Sequence, residues 1–367
     1  MMMVNSLAIT GLGLASHLGS TIPAAAAVRA GIYRSHPLPG CEVHDPHSDE
    51  MVPLHGHCAE TLTHGFEGAS RLLQLGVDAA TDLHHSTPDI TSLRLGLIII
   101  LSGYGLERAA ARHLEMEGHD GEVAEVEEQD VERRAHLDGF ITQLLTRVTW
   151  LKPVKTILLF GEHTEITAAI RHAQDWLQDD SCNGCVLGAI DSTADPRRIQ
   201  FFLEAGLLTT PGNPHGFAAG EAGAFLLLTN APVTTAHGHL DGCWAAKDDQ
   251  SNTALAQVLQ NASAATGQGS VGSVVLDHTG ESWRFSTHGH AMARTAGKFP
   301  ALSNAKTWLI PEHFGEIGSA TAVVACILAC RSFARNYARG THVIIALSDH
   351  DGARAALLIR SPEGVSS

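Results

Sequence analysis

The stretch "FGEHTEITAAIRHA", Phe160–Ala173, is written a second time in outline as "FGEIGSATAVVACI", Phe314–Ile327. Both copies set Phe-Gly-Glu between an apolar or loop segment and a helix of small residues. The elements downstream of the two copies also match. After Gly161-Glu162 come a helix, a strand "GCVLGAID" ending in Asp191, and a strand ending at Thr229. After Gly315-Glu316 come a helix, a strand "THVIIALSD" ending in Asp349, and a strand ending at Arg360. The repetition predicts an α/β chain that is internally duplicated, with halves at residues 1–230 and 231–367. Ala168, Ala169 and Ala173 in one helix, and Ala320, Ala322 and Ala325 in the other, are small enough for burial on both sides between two sheets.

Working outward, Ser6–Leu12 reads as a strand, followed by a glycine turn and the helix "TIPAAAAVRAG". Residues 36–68, rich in His, Pro and Gly, read as irregular structure. "ASRLLQLGVDAATDL" has helical periodicity. "LRLGLIIIL" (93–101) and "VKTILLF" (154–160) read as strands covered on both faces. Residues 115–134 are acidic and poor in large apolar side chains, as a solvated helix or loop would be. "GEAGAFLLLT" is a further strand, and a polar crossover after Thr229 leads to the strand "GSVVLDH" at 272–278.

A length of 367 residues suits two domains or one large duplicated one. A hydrophobic share of 44% gives ample core, and a net charge of -15 leaves no basic stripe for nucleic acid or an anionic membrane. Seven cysteines without a dense framework predict a reducing, cytoplasmic setting. The first residues lack the cationic region of a signal peptide. No apolar run approaches the roughly 20 residues needed for membrane insertion.

With these elements in place, the sequence resembles the β-ketoacyl synthases, condensing enzymes of the thiolase-like superfamily. Three stretches carry the resemblance. "AITGLGLASHLGSTIPAAAAVRAGIYR" is similar to the family's opening strand and helix. "FLEAGLLTTPGNPHGFAAGEAGAFLLLT", 202–229, is similar to its most recognisable block, with Gly216, Phe217, Gly220, Glu221, Gly223 and Ala224 ahead of a core strand. "HVIIALSDHDGARAALLIR" resembles its closing strand, turn and strand. The resemblance implies a five-layered α-β-α-β-α fold, a dimer, and decarboxylative condensation of malonyl-thioesters on a cysteine (3-oxoacyl-carrier-protein synthase chemistry). That thiolate belongs at a helix N-terminus, where the dipole and free N–H groups favour negative charge. Two histidines stabilise the enolate and thioester oxygens.

Here the sequence departs from the pattern. The nucleophile position falls on His163, and no cysteine lies within that turn. His278 stands near the first family histidine, in Asp-His-Thr-Gly order. The turn of the second histidine reads Gly315-Glu316. His163, His278 and Glu316 are therefore the candidate catalytic residues by family position, and Glu162, Thr164, Phe217 and Gly352 the candidate substrate-binding ones. Glu162 and Glu316 are expected to cap the central helices, each worth roughly 0.3–1 kcal/mol. The sharper alternative has Glu162, His163 and Glu316 converging as an acid/base set.

Other signals are weaker. His-Gly-His recurs at 55–57, 237–239 and 288–290 among 23 histidines, so chance repeats are expected and no metal is assigned. Cys182-x-x-Cys185 reads as a turn with incidental thiols. Gly11-x-Gly13 lacks the rest of a dinucleotide fingerprint, and no cofactor is implied. The resemblance leaves two functional classes. One is a degenerate ketosynthase-like partner or scaffold subunit, homodimeric or paired with an active synthase and an acyl carrier protein, or serving as an adaptor. The other is an active acyltransferase or malonyl-thioester decarboxylase using His163, His278 or Glu316 in a changed mechanism.

Overall fold

The computed structural model describes residues 6–230, 235–248 and 253–362. Its strands are β1 (Leu7–Ser16), β2 (His36–Asp45), β3 (Glu50–Gly56), β4 (Leu95–Leu101), β5 (Lys155–Phe160), β6 (Gly184–Ser192), β7 (Glu221–Asn230), β8 (Gly238–Lys247), β9 (Val271–Leu276), β10 (Lys306–Leu309), β11 (His342–Ser348) and β12 (Ala353–Arg360). All but β2 and β3 join one hydrogen-bonded series, β10-β9-β11-β12-β8-β1-β7-β6-β4-β5.

From its two ends inward, this series is the same list twice. β5-β4-β6-β7-β1 matches β10-β9-β11-β12-β8, with parallel pairs outside and antiparallel pairs inside in both. The halves meet where β1 pairs with β8 through Leu7, Ala8 and Ile9. The duplication expected from the two Phe-Gly-Glu junctions is thus a topological fact, and β6 and β11 are equivalent strands.

The layers follow from burial. Helices Ile166–Gln178 and Thr321–Ala334 lie in one apolar core with residues from both five-stranded sections. Every residue of Thr321–Ala334 except Arg331 and Ala334 is buried. So complete a burial fits "TAVVACILAC", which carries no charged and no aromatic side chain. Helices Gly68–Ser86 and Phe140–Arg147 cover the outer face of one section. Helices Ala254–Ala265 and Ser282–Ala296 cover the other. The order is helix, sheet, helix, sheet, helix, the five-layered thiolase-like arrangement.

Three expectations change. Residues 36–68 are not irregular: β2 and β3 form a two-stranded ribbon, in which Pro37, Pro39 and Pro53 are tolerated because an isolated ribbon has unpaired edges. The crossover after Thr229 contains a whole strand, β8, central to the series. Its glycines hid it. The space beside Gly242 is filled by the ring of Trp244, so the strand is packed without an alternating pattern of large side chains. Finally, β5 is an edge strand paired only with β4, and Ile157–Phe160 are half-buried rather than covered on both faces. The acidic segment supplies a helix, Glu122–Leu137.

Candidate functional site

Each central helix opens at a Phe-Gly-Glu junction, and both junctions face the same interior point. β5 ends at Phe160, and His163 begins the tight turn that leads into Ile166–Gln178. β9 ends at Leu276, which delivers Asp277. Gly315 bends the chain with φ 70° and ψ -167° and delivers Glu316. This last turn is docked on the block 216–224: the Glu316 N–H donates to Ala218 O at 2.8 Å, and a Cβ on Gly220 would lie 2.0 Å from Phe314 O. The block is recognisable because glycine is the only residue that lets these backbones meet.

His163 is buried and held at both ring nitrogens. Nδ1 lies 2.6 Å from Asp277 Oδ2 and Nε2 lies 2.7 Å from Glu316 Oε1. Ionised carboxylates only accept, so both nitrogens carry hydrogen and the ring is an imidazolium. Arg284, from helix Ser282–Ala296, donates through Nη1 to Asp277 Oδ2 at 2.9 Å and approaches Glu316 Oε2 through Nη2 at 3.7 Å. Its Nη1 also donates to Ser348 O, and its Nε to Glu281 Oε2 at 3.2 Å. Nη1 and His163 Nδ1 sit 3.3 Å apart because both converge on one carboxylate oxygen. Two cations and two anions meet directly, and the network continues through Glu281, which also reaches His350 at 2.7 Å, and through His288, 3.1 Å from Asp277 Oδ1.

Protonation follows from that balance. Burial alone would favour a neutral ring at His163, but the carboxylates of Glu316 and Asp277 outweigh it and hold the pKa well above the ordinary value. Burial would raise Asp277, but the Arg284 charge and the hydrogen bonds from His163 and His288 hold it well below the carboxylate range. Glu316 is likewise lowered: burial opposes, while His163 and Arg284 prevail.

The other sequence candidates are dispersed. Thr164 donates from both N and Oγ1 to Asp349 Oδ2, at 3.2 and 2.5 Å, so it anchors the turn to the end of β11. Glu162 does not cap the helix its own junction opens. Its Oε1 accepts from Gly103 N at 3.1 Å and Gly105 N at 2.8 Å, at the start of helix Gly105–Met116. Glu316 does act near its own helix, accepting from Gly318 N at 2.8 Å. His278 is not brought to His163; it packs beside Phe285 and His288, with ring centroids 5.3 and 5.9 Å away. Phe217 is a core residue, edge-on to Phe202 at 5.4 Å. Gly352, with φ 89°, makes the β11–β12 turn, where its carbonyl accepts from Asp248 N.

Sequence reasoning missed Arg284, and it quoted Asp277 without giving it a role. It also missed Arg198, which bridges Glu107 and Asp191 and ties helix Gly105–Met116 down. Arg284 and Arg198 lie within the helices Ser282–Ala296 and Pro196–Glu204, and no local feature of the sequence marked them or Asp277 as partners of distant charges.

The space left is small. A cavity of about 10 Å³ is lined by Leu106, Glu162, His163, Thr193, Arg198, Arg284, Glu316, Gly318, Asp349 and His350. That admits at most one water molecule. None of these residues is a cysteine. Among the described residues no group of three or more His, Cys, Asp or Glu side chains is placed to hold a metal ion, and no helix is long and apolar enough to cross a membrane.

No family model and no curated protein matches the chain. Solved structures do. The ishigamide ketosynthase/chain length factor superposes with a TM-score of 0.65 at 17% identity, over 97% of this chain and 99% of that one. A type II polyketide ketosynthase, solved with its acyl-carrier protein and bound to a hexaketide, gives 0.69 at 13% identity, over 98% and 100%. A beta-ketoacyl synthase from Burkholderia phymatum gives 0.66 at 16%, over 98% and 100%. Likeness at these identities establishes the fold, which is the thiolase-like fold of the ketosynthases.

Proposed function

We propose that the chain is a ketosynthase-fold subunit without condensing activity that works as the partner of another protein, in the first instance a catalytic ketosynthase. The observation that carries this reading is the buried ion quartet of His163, Asp277, Arg284 and Glu316. At the position where the family resemblance puts a thiolate stands an imidazolium with both N–H groups committed to carboxylates. It has no lone pair for nucleophilic attack or proton abstraction. The cavity of about 10 Å³ beside it cannot hold a thioester. A decarboxylating or acyl-transferring enzyme built on His163, His278 and Glu316 is disfavoured by the same two facts and by the separate location of His278.

A partner role also finds a surface. The free edge of β5 carries half-buried Ile157, Leu158, Leu159 and Phe160, next to Val154 at 55% exposure. A second ketosynthase-fold chain pairing there would extend the sheet and cover them. The neighbours named as ketosynthase/chain length factor and as a ketosynthase with its acyl-carrier protein make a heterodimer and a carrier-protein contact the natural forms to test.

The test is to incubate the pure protein with malonyl- and acyl-thioesters and to measure its sedimentation alone and with a catalytic ketosynthase. We expect no carbon dioxide release and no acylated protein, together with a dimer through β5. Turnover that disappears in His163→Ala would overturn the reading. A monomer that ignores the synthase would overturn the dimer.

A further inference from the structure

On a chain of net charge -15, one face gathers unpaired cations. Arg29 ends the helix Thr21–Arg29, Lys306 lies on β10, Arg331 lies in the last turn of the central helix, and Arg335 and Arg339 come after it. None of the five has a carboxylate partner among the described residues, although most other arginines do. They line two adjoining open hollows of about 370 and 440 Å³, which share Arg29 and Tyr337. Among the described residues Glu312 is the one carboxylate on either wall.

Aromatic and apolar groups accompany the charges. Two of the three tyrosines in the sequence are here: Tyr33 at 63% exposure, and Tyr337, over which the Arg29 guanidinium stacks at 5.0 Å. Trp308 lies 5.9 Å from Tyr337. Ile22 and Ile32 are 60% and 47% exposed beside them. Arginine, tyrosine and tryptophan are the residues that dominate protein interface hot spots. The apolar side chains project from the face instead of closing over a ligand.

We propose that this face docks a protein partner through a carboxylate-rich surface of that partner. The reasoning is charge complementarity. Guanidinium groups without partners are strongly attractive to carboxylates and prefer them in bidentate geometry. The net charge of -15 opposes the approach of an acidic partner as a whole, so a clustered cationic face also fixes orientation. An extended polyanion such as nucleic acid would overrun that face onto the acidic surroundings. The site is independent of the proposed pairing through β5, which lies at the opposite end of the strand series.

The experiment places a photoreactive residue, Thr307→p-benzoylphenylalanine, in the full chain produced in its own cells; Thr307 is exposed on β10. The expected result is one cross-linked protein whose attached peptide is rich in Asp and Glu. The yield should fall about tenfold in Arg335→Glu/Arg339→Glu and decline as salt rises. Both arginines are exposed and unpaired, so the unfolding midpoint should not move. The proposal is overturned by absence of an adduct, by an adduct to nucleic acid, lipid or a second copy of this chain, or by a yield indifferent to charge reversal. Loss of the adduct on adding micromolar inorganic pyrophosphate would assign the arginines to a small anion, and would also overturn it.

Discussion

Phe160-Gly161-Glu162 and Phe314-Gly315-Glu316 are the same tripeptide at equivalent points of a duplicated fold, yet their carboxylates have opposite chemistry. Glu316 turns inward to His163 and Arg284, and its pKa is lowered. Glu162 turns to the backbone of Gly103 and Gly105. Burial, and then the charges of Asp191, Glu107 and Asp349, push it up to about 7. Sequence identity at a junction does not fix a role; the cations within reach do. The first junction faces three carboxylates and the second faces two cations, and that difference is what the quartet exploits.

The most severe way to break the comparison is to remove the cation it turns on. His163→Ala leaves Asp277 and Glu316 in a dry interior with the Arg284 guanidinium and, at Asp277, the His288 ring. Removing one partner from a buried ion pair costs about 3–5 kcal/mol, and urea unfolding should show a loss of that order. A loss below about 1 kcal/mol would mean that His163 is not a charged partner of the two carboxylates. Next comes the pair of isosteric changes. Glu316→Gln keeps the shape but removes a charge bound to His163, and should cost about 2–3 kcal/mol at pH 7. Glu162→Gln keeps an oxygen for the Gly103 and Gly105 N–H groups, and should cost little. Equal losses would erase the asymmetry. Third is Gly315→Ala. With φ 70° and ψ -167°, and Ala218 O and Ala219 O both 2.8 Å from an added Cβ, it should cost about 1–3 kcal/mol. It should also weaken the Glu316 end of the quartet.

Much of this was legible before any coordinates. The paired junctions, the small residues of Thr321–Ala334 and the block 216–224 all reflect tight backbone approaches, and such approaches restrict sequence strongly. β8 was not legible, because its core is completed by Trp244 lying over Gly242 and not by alternation. At the site, His163 and Glu316 were found from family position. Asp277 and Arg284 were not, because nothing local distinguishes a charge that meets its partner across 114 or 121 residues from one that faces solvent. Glu162 was expected to cap its own helix and instead serves the start of Gly105–Met116, a contact that exists only once β4 and β5 lie side by side.

The smallest expected effect concerns pH, and it isolates Glu162. Its folded pKa of about 7 lies above the ordinary carboxylate value, so the folded state holds its proton more tightly than the unfolded chain does. The stability this confers is complete below the ordinary value of about 4.5 and is lost as pH rises through about 7. Glu316 and Asp277 run the other way, because their lowered values make stability fall as the medium becomes more acid than the carboxylate range. The wild-type protein should therefore lose roughly 2 kcal/mol between pH 5 and pH 8 that Glu162→Gln does not lose. Unfolding titrations of both proteins at the two pH values measure this directly. If the two lose stability in parallel, Glu162 is ionised throughout, and the contrast between the junctions reduces to geometry alone.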